Sequence, residues 1–433
     1  QRSLVGSEMC IRDSYKEAIK LAKKYDVPII LDPVGCHAGA YRLSVVLDLI
    51  KTGSISLLRG NQSEVKAVYD ALSSDNKDEN SPLGKGVDGV QVADSAIIAY
   101  RLARLINCPV VATGEEDYVS DGTRVFAVPH GHSIMTAVTG TGCLLGAVLA
   151  AFFGIYDSFK DSLSTGEFLA YALAYYGLAG ESAVKVSGIK PGSFSIAFMD
   201  ALYTLDDEVL VSENRVQSVV VPDQLQVYFV CGTQDTALNK KRLLEIVEDA
   251  CRGGITCFQF REKGDGTLEG QQKLELAQQL QHICAKYHVL YIINDDVELA
   301  VAVNADGVHV GQDDMCLEDV RNIVGHKVVG ISIHSIEELH KTDVLYADCV
   351  GVGPMYTTSS KPDAQEPCGP ERTAELQAEG LTLPCVGIGG ITLDNAMAVL
   401  RAGACGVAVI SAIAHAEKPY EAARQFKELA SSL

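Results

Sequence analysis

Residues 292–314, IINDDVELAVAVNADGVHVGQDD, set two acidic doublets after two short apolar runs. Asp295 and Asp296 follow the first run, and Asp313 and Asp314 follow the second. Between them VELAVAVNA has the spacing of a short helix. The order predicts strand, helix, strand, with carboxylates at the carboxyl end of both strands. In parallel α/β folds, ligands bind at that end. Carboxylates from neighbouring strands make a hard oxygen site suited to Mg²⁺, which at such sites bridges to substrate phosphates. One acidic doublet alone is equally at home in a solvated loop, so its meaning depends on its surroundings.

Those surroundings repeat the pattern. Eight buried runs recur after residue 226: VYFVC, CFQF, VLYIIN, GVHVG, VVGISI, CVGVG, CVGIG and GVAVI. Helical segments separate them, and a last helix closes the chain. That pattern predicts a (β/α)₈ TIM barrel over 227–433. Polar residues gather just past the runs. QFREK (259–263) follows the second, Asn294 and Asp295 the third, and Asp314 the fourth. Ser332 and His334 end the fifth, and TTSSK (357–361) follows the sixth. GIGG (387–390) lies at the seventh, and Ile410 and Ser411 end the eighth. Each has an ordinary structural use, but their sharing one end of successive strands points to a site. Arg261, Lys263, Lys361 and a carboxylate-bound Mg²⁺ suit a diphosphate, and the last two loops suit a monophosphate on backbone N–H groups. Such a cluster neutralises charge as a diphosphate leaves.

The first half carries a different pattern. VPIILDPVG, ISLLRGNQSEV and CPVVATGEEDYVSDG read as three buried strands, the last with a hairpin behind it, alternating with helices. That alternation predicts a parallel, doubly wound sheet. VTGTGCLLGAVLAAFFG (138–154) places small residues directly before an apolar helix. Glycine N–H groups and the helix N-terminus there can hold an anion, with Cys143 in the first turn; close helix packing explains the same glycines. Residues 206–226 read as a linker able to add a strand.

Composition limits the partners. The net charge is −20. It argues against nucleic acid and anionic membrane, and leaves small phosphorylated molecules as substrates, provided the site supplies local positive charge. The 13 cysteines form no C-x-x-C pair. They fit reduced thiols in a cytoplasmic protein. No apolar run approaches the roughly 18 residues of a membrane span.

In combination and order, LDPVG, RGNQSE, GKGVD, VVATGEEDYVSDG and TGTGC resemble hydroxyethylthiazole kinase, a ribokinase-like family, over 15–205. The resemblance implies ATP-dependent phosphorylation of a thiazole alcohol. By its pattern Arg59 and Thr113 meet ATP, Asp32 and Glu64 serve magnesium, and Gly140 approaches the alcohol. Cys143 stands where ribokinase relatives carry a catalytic Asp. The family also carries strands ahead of LDPVG that have no counterpart here, so 15–205 reads as a partial ribokinase-like parallel sheet with flanking helices, incomplete at its start. Residues 1–14, QRSLVGSEMCIRDS, read as a foreign-looking or disordered segment.

QFREK, INDD, GQDD, TTSSK and GIGGIT together resemble thiamine-phosphate synthase along the whole barrel. The resemblance implies that hydroxymethylpyrimidine diphosphate is joined to hydroxyethylthiazole phosphate with release of pyrophosphate. It places Gln259, Phe260, Arg261, Glu262, Lys263, Asn294, Ser332 and Lys361 on the pyrimidine diphosphate. It makes Asp295 and Asp314 magnesium ligands. Thr358, Ser359, Ser360, Gly390, Ile410 and Ser411 fall to the thiazole phosphate, and Arg261 and Lys361 to catalysis. Together the two resemblances imply a thiamine-biosynthesis fusion that forms a homo-oligomer. The rival is a thiazole tautomerase-like barrel behind a non-catalytic oligomerisation scaffold.

Overall fold

The computed structural model describes residues 2–75, 92–160, 162–358 and 365–432. GKGVD of the kinase-like pattern, and Ser359, Ser360 and Lys361, lie outside the described residues. The chain divides between Gln217 and Ser218 into two compact units.

The first unit is a six-stranded sheet whose strand order follows the chain. The strands are β1 (Ile30–Leu31), β2 (Leu57–Asn61), β3 (Val110–Thr113), β4 (Asp117–Ser120), β5 (Val125–Val128) and β6 (Gln217–Ser218). β1, β2 and β3 are parallel, because helices such as Ala40–Ile50 and Val92–Ile106 fill their connections. β3, β4 and β5 are antiparallel. Only residues 114–116 separate β3 from β4, and only residues 121–124 separate β4 from β5. Connections so short cannot carry a crossover. The sheet is therefore mixed. The expected doubly wound parallel order holds over its first three strands and ends at the hairpin.

Helix Thr165–Ser187 crosses the core of this unit. Ser164 caps it by accepting the Glu167 N–H at 3.2 Å. Its small residues, Gly166, Ala170, Ala174 and Ala179 among them, let Phe126, Leu149 and Phe194 be fully buried. Glu167 in its first turn is buried but paired to Arg124 at 2.7 Å. A buried carboxylate needs such a partner. A helix also occupies Arg2–Lys24, so it runs through the segment that reads as foreign, and Arg12 within it pairs with Asp48. Past residue 205, the linker-like stretch holds helix Asp207–Ser212 and β6, at the sheet's edge.

The second unit is a closed barrel of eight parallel strands. They are β7 (Val227–Cys231), β8 (Cys257–Phe260), β9 (Leu290–Asn294), β10 (Gly307–Val310), β11 (Val328–Ile333), β12 (Cys349–Val352), β13 (Cys385–Ile388) and β14 (Gly406–Val409), and β14 pairs with β7. All eight coincide with the apolar runs. Side chains alternate, as strand geometry requires. Tyr228, Cys257, Ile292, Cys349 and Ala408 fill the barrel interior. Phe229, Phe258, Phe260 and Tyr291 face the outer helices. Burying each of these aromatics contributes about 2–3 kcal/mol. Helix Pro419–Ala430 lies so close to helix Lys240–Gly253 that a Cβ at Gly253 would come within 2.5 Å of the Tyr420 carbonyl oxygen. No helix among the described residues is long and apolar enough to cross a membrane.

Candidate active sites

The carboxyl ends of the barrel strands enclose a cavity of about 370 Å³. Its lining includes Gln259, Arg261, Lys263, Asn294, Asp314, Ser332, Thr358, Gly390, Ile410 and Ser411, all of them anticipated. Alternation brings them there. Gln259 points inward from β8, where its amide donates to Asn294 Oδ1 at 2.6 Å across the β8–β9 pair. Gln312 donates to the Ser332 carbonyl at 2.7 Å and ties the loop after β10 to the end of β11.

The acidic doublets divide their work. Asp295 follows β9 with φ 61°, and its N–H donates to the His309 carbonyl at 2.8 Å. Non-glycine residues seldom adopt that left-handed conformation. The Asp295 carboxylate lies 2.8 Å from Lys263 Nζ and within hydrogen-bond reach of Asp314. Burial raises the Asp295 pKa; Lys263 opposes that shift and the Asp314 charge adds to it. Asp314 also accepts the Gly311 N–H at 2.8 Å. Two carboxylates pressed together this way gain from a shared cation. The described residues hold no cluster of three or more His, Cys, Asp or Glu fit for a metal. The Asp295 and Asp314 carboxylates fit Mg²⁺, which takes one or two carboxylates and completes its shell with phosphate and water. Asp295 and Asp314 are the residues that would hold it.

Asp296 does something else. It caps helix Val297–Ala302 at the Leu299 N–H, 3.0 Å away, and pairs with Lys273 at 2.7 Å. Burial acts to raise its pKa, but Lys273 and the Leu299 amide outweigh burial and hold it below the usual range. A depressed carboxylate pKa adds stability that is complete above about pH 4 and is lost as pH falls further. Asp296→Ala should cost about 1 kcal/mol in urea melts at pH 7. The cost should shrink at pH 3 and coupling turnover should not change. A turnover loss without a stability loss would make Asp296 part of the site.

The glycine loop after β13 is held by space as well as by conformation. Gly389 and Gly390 have φ 94° and 64°. A Cβ at Gly390 would come 2.5 Å from the Thr357 carbonyl oxygen, so this loop packs directly on the loop after β12. Asn395 donates to the Gly390 carbonyl at 3.1 Å and fixes its orientation.

Among the described residues, three anticipated ones do not line the cavity: Asp295, whose contacts are given above, Phe260 and Glu262. Phe260 is buried among the outer aromatics, because β8 alternates and Gln259 takes the inward side. Glu262 accepts from the Thr233 N–H at 2.9 Å and the Leu268 N–H at 2.8 Å, so its carboxylate braces loops. The cavity also contains residues that sequence reasoning missed: Tyr228, His309, Gln312 and Glu338. His309 Nε2 lies 2.9 Å from Ser332 Oγ. The available signal was register, since His309 is opposite Asn294 on an inward row.

In the first unit, Arg59 gathers the anticipated residues. It is 8% exposed, with Nη1 3.0 Å from Asp32 Oδ2 and Nη2 donating to Thr113 Oγ1 at 3.3 Å. A Cβ at Gly142 would lie 3.3 Å from its guanidinium, so the TGTGC turn closes over it. Burial raises the Asp32 pKa against the opposing pull of Arg59. Gly140, with φ 99°, starts helix Thr141–Phe153, and the Tyr176 hydroxyl donates to the Thr141 carbonyl at 2.6 Å. Cys143 is exposed in that first turn. Glu64 is turned to structure, its two oxygens accepting the Gly35 and Asn61 N–H groups at 2.7 and 2.9 Å.

Comparison with known proteins assigns a family to each unit. Residues 6–208 match the model of the hydroxyethylthiazole kinase family, and residues 227–413 match that of thiamine monophosphate synthase. A thiamine-phosphate synthase of Geobacillus thermodenitrificans is 49% identical over 48% of this chain and 93% of its own. The thiamine biosynthesis bifunctional protein ThiM/ThiE of Symbiobacterium thermophilum is 34% identical over 96% of this chain and 83% of its own. Among solved structures, thiamine phosphate pyrophosphorylase from Pyrococcus furiosus is 31% identical, with a TM-score of 0.43, over 48% of this chain and 96% of that one. With both units matched in one relative along nearly the whole of this chain, the chain belongs to the bifunctional thiamine-biosynthesis family, a hydroxyethylthiazole kinase unit followed by a thiamine-phosphate synthase barrel.

Proposed function

We propose that the barrel joins hydroxymethylpyrimidine diphosphate to hydroxyethylthiazole phosphate, and that the first unit makes the latter from hydroxyethylthiazole and ATP. The observation that carries the barrel reading is a cavity with two kinds of anion holder. Cationic Arg261 and Lys263 stand beside Asp295 and Asp314 on one side, and the loops of Gly390 and of Ile410 and Ser411 form the other. A barrel that handled only the thiazole phosphate would need no Arg261, Lys263 and Asn294 together.

In this reading Gln259, Asn294 and Ser332 orient the pyrimidine, while Arg261, Lys263 and Lys361 hold its diphosphate. Mg²⁺ on Asp295 and Asp314 supplies neutralising charge when bound. The bond from the pyrimidine methylene to the diphosphate oxygen breaks with its electron pair leaving on the diphosphate. Arg261, Lys263 and Lys361 stabilise that charge as it develops. Val230, Val386 and Ala408 line the cavity. These apolar walls limit water, so the thiazole nitrogen forms the new bond. Gly390 and Ile410 hold the thiazole phosphate on backbone N–H groups, and Ser411 adds its hydroxyl as a further donor.

In the first unit, Arg59 and Thr113 meet ATP, Asp32 serves Mg²⁺, and Gly140 and Cys143 face the alcohol in the TGTGC turn. Positioning supplies much of the acceleration in phosphoryl transfer, and the buried Arg59, bonded to Asp32 and Thr113, is the fixed point of this set.

The test of the barrel reading is Lys361→Ala. It should lower kcat by about 10²-fold and shift the KM for hydroxyethylthiazole phosphate little, because its charge matters most as diphosphate leaves. A raised thiazole phosphate KM at unchanged kcat would put Lys361 on the other substrate.

A further inference from the structure

The closure of the barrel places its two anion holders one strand apart. β7 pairs with β8 on one side and with β14 on the other. The loop after β8 carries Arg261 and Lys263, and the loop after β14 carries Ile410 and Ser411. The loop after β7, residues 232–237, therefore lies between them, and it bonds to both.

Toward the diphosphate side the bonds are several. Gln234 Nε2 donates to the Arg261 carbonyl at 2.7 Å. The Thr233 N–H donates to Glu262 at 2.9 Å, and the Thr233 hydroxyl bonds the same carboxylate. A Cβ at Gly232 would lie 1.9 Å from the Arg261 carbonyl oxygen, so only glycine allows this approach. Toward the monophosphate side, His415, just past helix Ser411–Ala414, places Nε2 3.2 Å from the Asp235 carbonyl oxygen. Asp235 joins the two halves. Its carboxylate accepts the Gly232 N–H at 3.0 Å and Gln234 Nε2 at 2.8 Å. The other amide atom, Gln234 Oε1, is buried without a partner among the described residues, so the side chain is oriented by what its nitrogen donates to.

We infer that Gln234 and Asp235 are positioning residues that set the distance between the diphosphate and the thiazole phosphate, through Arg261 on one side and His415 on the other. Neither lines the cavity, and the side-chain bonds of both run to protein atoms. A bond-forming reaction between two separately anchored substrates depends on that distance. Misplacement by a fraction of an ångström at both anchors costs rate without removing any contact to substrate. The inference rests on the proposed assignment of the two anion holders.

The experiment compares Gln234→Glu and Asp235→Asn with Arg261→Ala and Ser411→Ala in the full chain. Gln234→Glu replaces the donor to the Arg261 carbonyl by an acceptor of the same size. Asp235→Asn keeps an oxygen for the Gly232 N–H and is the conservative control. Gln234→Glu should lower kcat by roughly 10- to 100-fold. It should leave the separate affinities for pyrophosphate and for hydroxyethylthiazole phosphate, measured by calorimetry, within about threefold of the parent. Asp235→Asn should retain most of kcat. Arg261→Ala should weaken pyrophosphate alone and Ser411→Ala the thiazole phosphate alone. If those two controls do not separate the ligands, the site assignment fails. If they do, but Gln234→Glu keeps its kcat or loses only one ligand's affinity, the positioning role is overturned. A fall in melting temperature with kcat per folded molecule unchanged would overturn it too.

Discussion

Alanine at Asp295 or at Asp314 should lower thiamine phosphate formation by about 10²- to 10³-fold, the loss of a preorganised charge at the leaving group. Both carboxylates follow strand ends, outside the hydrophobic layers, so the barrel should stay folded. The two variants are not equivalent. Asp295 has φ 61°. Alanine is strained there by about 1 kcal/mol. Asparagine tolerates that conformation, so Asp295→Asn isolates the charge from the backbone. Removing the Asp295 charge also frees Lys263 from its 2.8 Å partner and relieves Asp314 of a like-charged neighbour. Turnover should then fall while pyrophosphate affinity without Mg²⁺ rises. The check is initial rate against Mg²⁺ concentration for Asp295→Asn and Asp314→Ala. Near-parent turnover at saturating Mg²⁺ in either variant would remove the metal assignment.

Arg59→Gln should lower ATP-dependent phosphorylation of hydroxyethylthiazole by about 10²- to 10³-fold while sparing the coupling reaction of the barrel. Arg59 is buried, and it holds Asp32, Thr113 and the TGTGC turn together. Without it Asp32 keeps a half-buried carboxylate and loses its counter-ion. Breaking a buried pair costs about 3 kcal/mol when both charges are enclosed. The cost is smaller here because the Asp32 side chain retains 24% exposure. The double variant Arg59→Gln/Asp32→Asn should recover that stability without recovering activity. ADP release would be measured with coupling in the same preparation, so barrel activity certifies the chain. Phosphorylation within a few-fold of the parent would show that Arg59 does not contact the nucleotide.

Periodicity exposed the barrel because each buried parallel strand is an unbroken apolar run with a polar tip. That tip alone puts Gln259, Asn294, Ser332 and Ser411 at one mouth. Three kinds of residue escaped. His309 and Tyr228 sit on inward rows among aliphatic neighbours, and only pairing register separates an inward position from an outward one. Phe260 and Glu262 were drawn in by their neighbours in QFREK, although alternation sends Phe260 outward and Thr233 claims Glu262. Gln234 and Asp235 act through other residues, and such a role leaves no composition signal. In the first unit the hairpin at residues 114–116 was legible, but not its effect. A three-residue connection makes β4 antiparallel to β3, and the next short turn does the same for β5, which local pattern does not announce.

Strand order also sets the sequence in which the two catalytic centres can come into being on the ribosome. In the first unit each strand pairs with the next one in the chain, so its sheet can grow in order as residues emerge. The barrel cannot finish this way, because β7 needs β14, and all six other barrel strands lie between Cys231 and Gly406. The entropy of closing so long a loop is met only once β14 has emerged. A nascent chain would therefore reach kinase competence first and gain the coupling site last, its edge strands at β7 and β13 exposed meanwhile to self-association.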